Sequence, residues 1–127
     1  SAYPLEEELT KEVKGMDTLA NLPRTVTVRS EEIREALHDP LEQIVRSIKS
    51  TLEGTPPELA ADLIESGITL AGGGALLRGL DKMLARETGL PVRRAEDPLT
   101  AVARGTGVVL DQIDSLWQVL EDGREVG

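Results

Sequence analysis

Gly67-Ile68-Thr69-Leu70-Ala71-Gly72-Gly73-Gly74-Ala75-Leu76-Leu77-Arg78-Gly79-Leu80-Asp81 is the stretch on which the reading of this chain turns. Ile68-Thr69-Leu70-Ala71 predicts a short buried strand, and three glycines follow it directly. Leu76, Leu77, Leu80, Met83 and Leu84 then recur at helical spacing, until Gly89 and Pro91 end the run. Glycines between a strand and a helix let the backbone turn sharply and leave main-chain atoms unshielded by a Cβ. The start of the next helix offers N–H groups and a positive dipole end to a polar or anionic ligand. A tight turn with no ligand accounts for the glycines equally well on spacing alone. Neither standard nucleotide fingerprint fits. A dinucleotide motif needs a third glycine where Leu77 stands, and a P-loop needs Gly-Lys-Ser/Thr where Ala75-Leu76-Leu77 stands.

Downstream, Val92 and its neighbours read as a second short strand. Asp97-Pro98 reads as a cap and first helical residue. Leu99, Val102, Ala103, Thr106, Val109, Leu110 and Ile113 predict a long last helix, continued by Leu116, Trp117 and Leu120, with a polar tail from Glu121. Gly105 and Gly107 inside it cost about 1 kcal/mol each relative to Ala. That cost predicts close packing against a neighbour such as the glycine turn, and Trp117 is expected to cover the core.

Upstream, Thr55-Pro56-Pro57-Glu58 has the form of a capping box opening a helix through Leu59, Leu63 and Ile64. Leu41, Ile44, Val45, Ile48 and Leu52 form the apolar stripe of another helix, with Asp39 as cap, Pro40 first and Gly54 as a left-handed stop. Ser30 reads as the cap of a short helix carrying Ile33 and Leu37. Thr25-Val26-Thr27-Val28-Arg29 alternates cleanly, and with the looser alternation from Leu9 to Lys14 it reads as a β-hairpin or two strands of a small sheet, across a longish connection at Gly15, Asp17 and Asn21. The expected organisation is α/β: a small strand-plus-helix unit over residues 1–38, an α/β subdomain over 39–120 and a polar tail over 121–127.

Composition narrows the functions open to such a chain. Among 127 residues, 23 are acidic and 14 basic, a net charge of −9, and no basic cluster forms. Nucleic acid is therefore not an expected partner. No cysteine is present, which excludes disulfides, thiol catalysis and Cys-ligated metals. A cytoplasmic location fits. No apolar run approaches the roughly 18 residues of a membrane span. The opening Ser-Ala-Tyr-Pro-Leu-Glu-Glu-Glu is no signal peptide, and without an initiating Met it reads as a fragment. His38, the single histidine, is expected to serve a helix end or solvent rather than a metal. Glu6, Glu7 and Glu8 are expected to be a solvated run. The pairs Asp62 with Glu65 and Asp111 with Asp114 are expected to be surface carboxylates.

The glycine stretch, with the residues around it, resembles the adenosine motif of the actin-like ATPase superfamily in its MreB form. Leu22-Pro23-Arg24-Thr25-Val26-Thr27-Val28, Ser30-Glu31-Glu32-Ile33-Arg34-Glu35-Ala36-Leu37, Thr55-Pro56-Pro57-Glu58-Leu59-Ala60-Ala61-Asp62, Glu96-Asp97-Pro98-Leu99-Thr100 and Ala103-Arg104-Gly105-Thr106-Gly107 match that family in the same order. The resemblance implies a ribonuclease H-like, actin-like ATPase fold, of which this chain is a second-lobe fragment. It also implies an ATP site, with magnesium in the whole protein, whose adenine and ribose side is lined by Gly72, Gly73, Gly74, Ala75 and Leu76. The family's phosphate loops and its metal-binding and water-positioning acids precede the matched segment. No catalytic or metal-binding residue is therefore expected here, and the chain alone is not expected to hydrolyse ATP. Implied partners are other copies in a filament, the inner membrane surface and membrane proteins of cell-wall elongation; the implied role is control of rod shape. Ala71 stands where the family usually has Thr, and Met16 where a basic residue is usual. An autonomous interaction module that binds no nucleotide is the alternative. A small enzyme with its own site lacks any acid–base or nucleophilic constellation.

Overall fold

In the computed structural model of the chain, residues 1–113 are described. The expected helix extension through Leu116, Trp117 and Leu120, Asp114 and the tail 121–127 lie outside them. Strands β1 (Thr10–Asp17) and β2 (Leu22–Arg29) form an antiparallel hairpin in register from Thr10↔Arg29 to Asp17↔Leu22. Val13 faces Val26 across the ladder, an apolar cross-strand pair of the kind that stabilises sheets. The connection is shorter than the alternation suggested, only residues 18–21. The Asp17 carboxylate accepts from the N–H groups of Leu19 (2.9 Å) and Ala20 (3.1 Å), and Asn21 takes the left-handed conformation (φ 52°) that Asn tolerates.

Several helix starts differ from expectation. Helix α1 (Ser30–Ala36) is capped at Arg29, whose N–H donates to the Glu32 carboxylate at 2.9 Å. The Ser30 hydroxyl instead accepts from the Leu9 N–H at 2.8 Å, so it joins the helix to the approach of β1. Helix α2 (His38–Glu53) starts before Asp39, with Leu37 at its cap and Pro40 in the first turn, where a missing N–H costs nothing. Gly54 ends it in right-handed geometry (φ −81°) rather than left-handed. Thr55 does not cap α3 (Pro57–Ser66); its hydroxyl donates back to the Thr51 carbonyl at 2.8 Å, and Pro56 holds the cap position. Each predicted cap hydroxyl had a better acceptor or donor nearby than the helix end, which sequence spacing does not reveal.

Strand β3 (Ile68–Leu70) pairs in parallel with β4 (Val92–Arg94), Ile68 opposite Val92 and Leu70 opposite Arg94. A parallel pair needs a crossover. Here the crossover is a 3-10 turn (Gly73–Leu76) followed by α4 (Leu80–Thr88). The last described helix, α5 (Ala101–Asp111), starts at Ala101 with Thr100 as cap, later than Asp97-Pro98 suggested. Leu41 and Val45 of α2 meet Leu80 and Leu84 of α4, with Ala2 inserted from the N-terminal segment. Leu84 is 1% exposed, and burial of such a side chain contributes about 2–3 kcal/mol. Helices α3 and α5, by contrast, bury no residue, and Val102 is 74% exposed. Gly105 and Gly107 have open space where a Cβ would stand, so the close packing expected of them is not made among the described residues. No helix among the described residues is long and apolar enough to cross a membrane.

Gly67 is where α3 gives way to β3, at φ 67° and ψ −163°, and an added Cβ would sit 2.3 Å from the Pro91 carbonyl oxygen. That oxygen accepts the Ile68 N–H at 2.7 Å. Gly67→Ala is therefore expected to lower stability by more than roughly 2 kcal/mol, through backbone strain plus a lost pairing. Gly89→Ala, also left-handed (φ 71°) but open, should cost only about 1 kcal/mol. Urea midpoints of the two variants compare them directly.

Two carboxylates of the hairpin region are held below their ordinary values. Glu8 is lowered by hydrogen bonds from Arg34 and Ser30, and Asp17 by the N–H groups of Ala20 and Leu19. Depressed folded-state values stabilise the fold above the ordinary carboxylate range, and the contribution is lost as pH falls through them. Protection of the amides in β1 and β2, relative to their intrinsic exchange rates, is expected to fall below about pH 4 ahead of that in α4. Equal protection of both regions down to about pH 2 would contradict this assignment.

Candidate functional site: the glycine turn

β3 ends at Leu70, Ala71 leads out, and Gly72 bends the chain at φ 79° and ψ 175°, a region open to glycine and strained for other residues. The Gly72 carbonyl accepts the Ala75 N–H (3.2 Å), and the Gly74 carbonyl accepts the Leu77 N–H (3.1 Å). The glycines thus lead into one tight turn, and α4 begins only at Leu80. The helix start expected directly behind the glycines is displaced by that turn, because bonds to the carbonyls three residues back close it first.

The five residues singled out by sequence divide by role. Gly72 and Gly74 have nothing within 4 Å of where a Cβ would be, so their main chain is open to an approaching ligand. A Cβ on Gly73 would meet only a Leu99 methyl at 3.6 Å. Leu76 is about half exposed, and Ala75 is buried, its methyl turned into packing. The glycine backbone and Leu76 therefore present a surface, while Ala75 supports it from behind.

Sequence reasoning missed the other wall. The Gly72 N–H donates to the Pro98 carbonyl at 2.6 Å, and Ala95 N–H donates to the Leu70 carbonyl at 2.9 Å. Asp97 does not cap a helix directly; its carboxylate accepts the Thr100 hydroxyl at 2.6 Å and fixes the loop that carries Pro98 and Leu99. The signal was present in the order strand, turn, helix, strand, loop, helix. Two parallel strands place both following loops at the same carboxyl end, where open α/β sheets bind ligands.

Other clusters lie elsewhere. His38, Asp39 and Glu42 bring ligand atoms within 4.8 Å of one another at the exposed start of α2. That position faces the positive end of a helix dipole, and Glu42 is held by Arg46 at 2.7 Å, so it is poorly suited to a cation. Glu8 is not the freely solvated acid expected: Arg34 holds it at 2.5 Å. An apolar groove of about 660 Å³ runs between α2 and α3, lined by Ile48, Leu52, Leu59 and Leu63, and does not include the glycine turn. The turn itself carries no carboxylate.

The family model for MreB/Mbl protein matches residues 1–118. The chain belongs to the MreB/Mbl family. It is 54% identical over 114 residues to the cell shape-determining protein MreB of Escherichia coli (strain K12), an alignment covering 90% of this chain and 33% of that protein. It is 52% identical over 104 residues to the cell shape-determining protein Mbl of Bacillus subtilis (strain 168), covering 82% of this chain and 31% of that one. The chain thus spans about a third of the length of the curated relatives it matches. Crystal structures of Spiroplasma citri MreB5 superpose on it at 36% identity. The ADP-bound form gives a TM-score of 0.83 over 93% of this chain, and the AMPPNP-bound form 0.81 over 97%, each covering 36% of the MreB5 chain. The fold is therefore part of the actin-like ATPase fold of MreB, as the matched sequence blocks implied.

Because Gly72 is held at positive φ beside the Pro98 carbonyl, Gly72→Ala is expected to destabilise the chain by roughly 1–2 kcal/mol. The strain should speed amide exchange at Ala75 and Ala95 while leaving the hairpin unchanged. Ordinary protection at those two amides would mean that the turn does not depend on this conformation.

Proposed function

We propose that this MreB/Mbl chain supplies the adenosine-side wall of an adenine-nucleotide site in an actin-like, filament-forming protein that determines cell shape. The observation that carries the reading is the open main chain at Gly72 and Gly74, at the carboxyl end of a parallel strand pair. A base and ribose need close approach to backbone, and side chains at these two positions would fill that space. Gly72, Gly73, Gly74 and Leu76 are the contacting residues, with Ala75 buried behind them. When bound, the nucleotide brings the phosphoanhydride that the whole protein cleaves. This chain's residues would bind and orient only the adenosine end, because the turn offers no lysine and no carboxylate for magnesium. That solved MreB5 relatives hold ADP and AMPPNP supports the nucleotide class. The same proposal places the whole protein in filaments on the cytoplasmic face of the inner membrane, working with membrane proteins of wall elongation.

Titration of ADP or AMPPNP into isotope-labelled chain is expected to shift the amides of residues 72–76 and of Leu99, and to leave the hairpin amides unmoved. Affinity should be weak, with Kd on the order of 1 mM, since one wall of a cleft cannot repay the cost of immobilising the ligand. Gly73→Val should abolish the shifts by pushing against Leu99. No phosphate release above a buffer blank is expected from the chain alone. The absence of any amide shift at millimolar ADP or AMPPNP would instead favour an interaction module that binds no nucleotide.

A further inference from the structure

The loop between β4 and α5 is pinned as it passes the glycine turn. Ala95 donates its N–H to the Leu70 carbonyl at 2.9 Å, and the Pro98 carbonyl takes the Gly72 N–H at 2.6 Å. A further pin lies inside the loop itself. The Thr100 hydroxyl donates to the Asp97 carboxylate at 2.6 Å, and the Thr100 N–H reaches the Asp97 carbonyl at 3.3 Å. A hydroxyl-to-carboxylate bond of that length is charge-assisted and stronger than a neutral one. The main-chain bond beside it is long, so the side-chain bond is what closes residues 97–100 into a turn.

That turn carries Leu99. Pro98 is buried, yet Leu99 is 67% exposed, and one of its methyls stands 3.6 Å from where a Cβ on Gly73 would be. An apolar side chain left largely in water beside open glycine backbone is available to be covered by a ligand. Anchoring Pro98 does not settle where Leu99 points, because Leu99 and Thr100 keep their own backbone rotations until α5 begins at Ala101. The bond from Thr100 to Asp97 removes that freedom.

We propose that Asp97 is a positioning residue for the adenosine-side wall: by holding Thr100 it sets Leu99 against Gly73, without touching the ligand itself. The inference rests on the adenosine-wall reading above. Positioning and charge are separable here. Adenosine is uncharged and reports positioning alone, whereas a carboxylate near the wall repels ADP, so loss of the charge by itself tightens ADP and leaves adenosine unchanged.

The test is titration of adenosine and ADP into the isotope-labelled chain and its variants, with affinity read from the amide shifts of residues 72–76. Thr100→Val is expected to weaken both ligands, and Asp97→Ala to weaken adenosine, by about fivefold, the effect of one hydrogen bond. Asp97→Asn keeps an acceptor oxygen and Thr100→Ser keeps the hydroxyl. Both should hold adenosine within about twofold of the unsubstituted chain, which a general loss of structure would not allow. In the ligand-free chain, a nuclear Overhauser contact between the Leu99 methyls and the Gly73 Hα protons should persist in these conservative variants and vanish in Asp97→Ala and Thr100→Val. Undiminished adenosine affinity in Asp97→Ala and Thr100→Val, or a weakening that the conservative variants share in full, overturns the positioning role and leaves the wall intact. Tighter ADP with unchanged adenosine in Asp97→Ala assigns the carboxylate a charge effect and overturns it as well. If neither ligand shifts residues 72–76 of the unsubstituted chain, the wall itself is refuted and the positioning role with it. Should Asp97→Ala lose its helical circular dichroism, the comparison of Thr100→Val with Thr100→Ser decides.

Discussion

The close approach of Gly67 to Pro91 underlies the arrangement of everything C-terminal to α3. With no side chain at Gly67, the Pro91 carbonyl reaches the Ile68 N–H, and β4 falls into parallel register beside β3. Parallel register then sends both exits, 71–76 and 95–100, to the same end. There the Gly72 N–H finds the Pro98 carbonyl. The proposed site at the glycine turn depends on that pairing, which fixes Gly72 beside Pro98. The crossover that the pairing demands also carries α4 back over the strands, where Leu80 and Leu84 close the core with α2.

The core so made is small and one-sided. It lies between α2, α4 and the strand pair, while α3 and α5 keep their apolar stripes uncovered among the described residues. Burial of Ala2 in the same cluster means that the N-terminal segment is part of the core rather than an appendage. That burial places the start of the chain against the turn between the glycine site and α4. The hairpin and α1 are held by polar contacts instead, Glu8 with Arg34 and Ser30 with Leu9. Apolar burial and ionic tethering respond differently to salt and acid, so the two parts of this molecule answer to different conditions.

Legibility followed the range of the interactions involved. Strands, helices and the hairpin were readable because alternation and three-to-four spacing are local consequences of backbone period. Membership in the actin-like fold was readable from ordered blocks of residues, which the MreB and Mbl relatives bear out. Asp39 lies inside α2, which starts at His38, while the cap assignments at Ser30 and Thr55 failed for a common reason. A hydroxyl or carboxylate that looks like a cap in sequence is equally able to bond a strand end or the preceding helix, and local pattern does not rank those options. The packing expected around Gly105 and Gly107 failed differently: a helix glycine marks a cost, and the described residues contain nothing that recovers it.

By itself the sequence determined the order and type of the elements, the apolar stripes of α2 and α4, the absence of thiol chemistry and the family to which the glycine stretch belongs. These depend on composition and on contacts a few residues apart. Only the tertiary structure decided that Pro98 and Leu99 wall the glycine turn, that Ala75 faces inward, that Glu8 is paired rather than solvated, and that Ala2 belongs to the core. The contacts of Gly72 with Pro98, Glu8 with Arg34 and Ala2 with Arg78 join residues far apart in sequence. No periodicity reports such a contact, because it exists only once the chain has closed the loop that brings its two ends together.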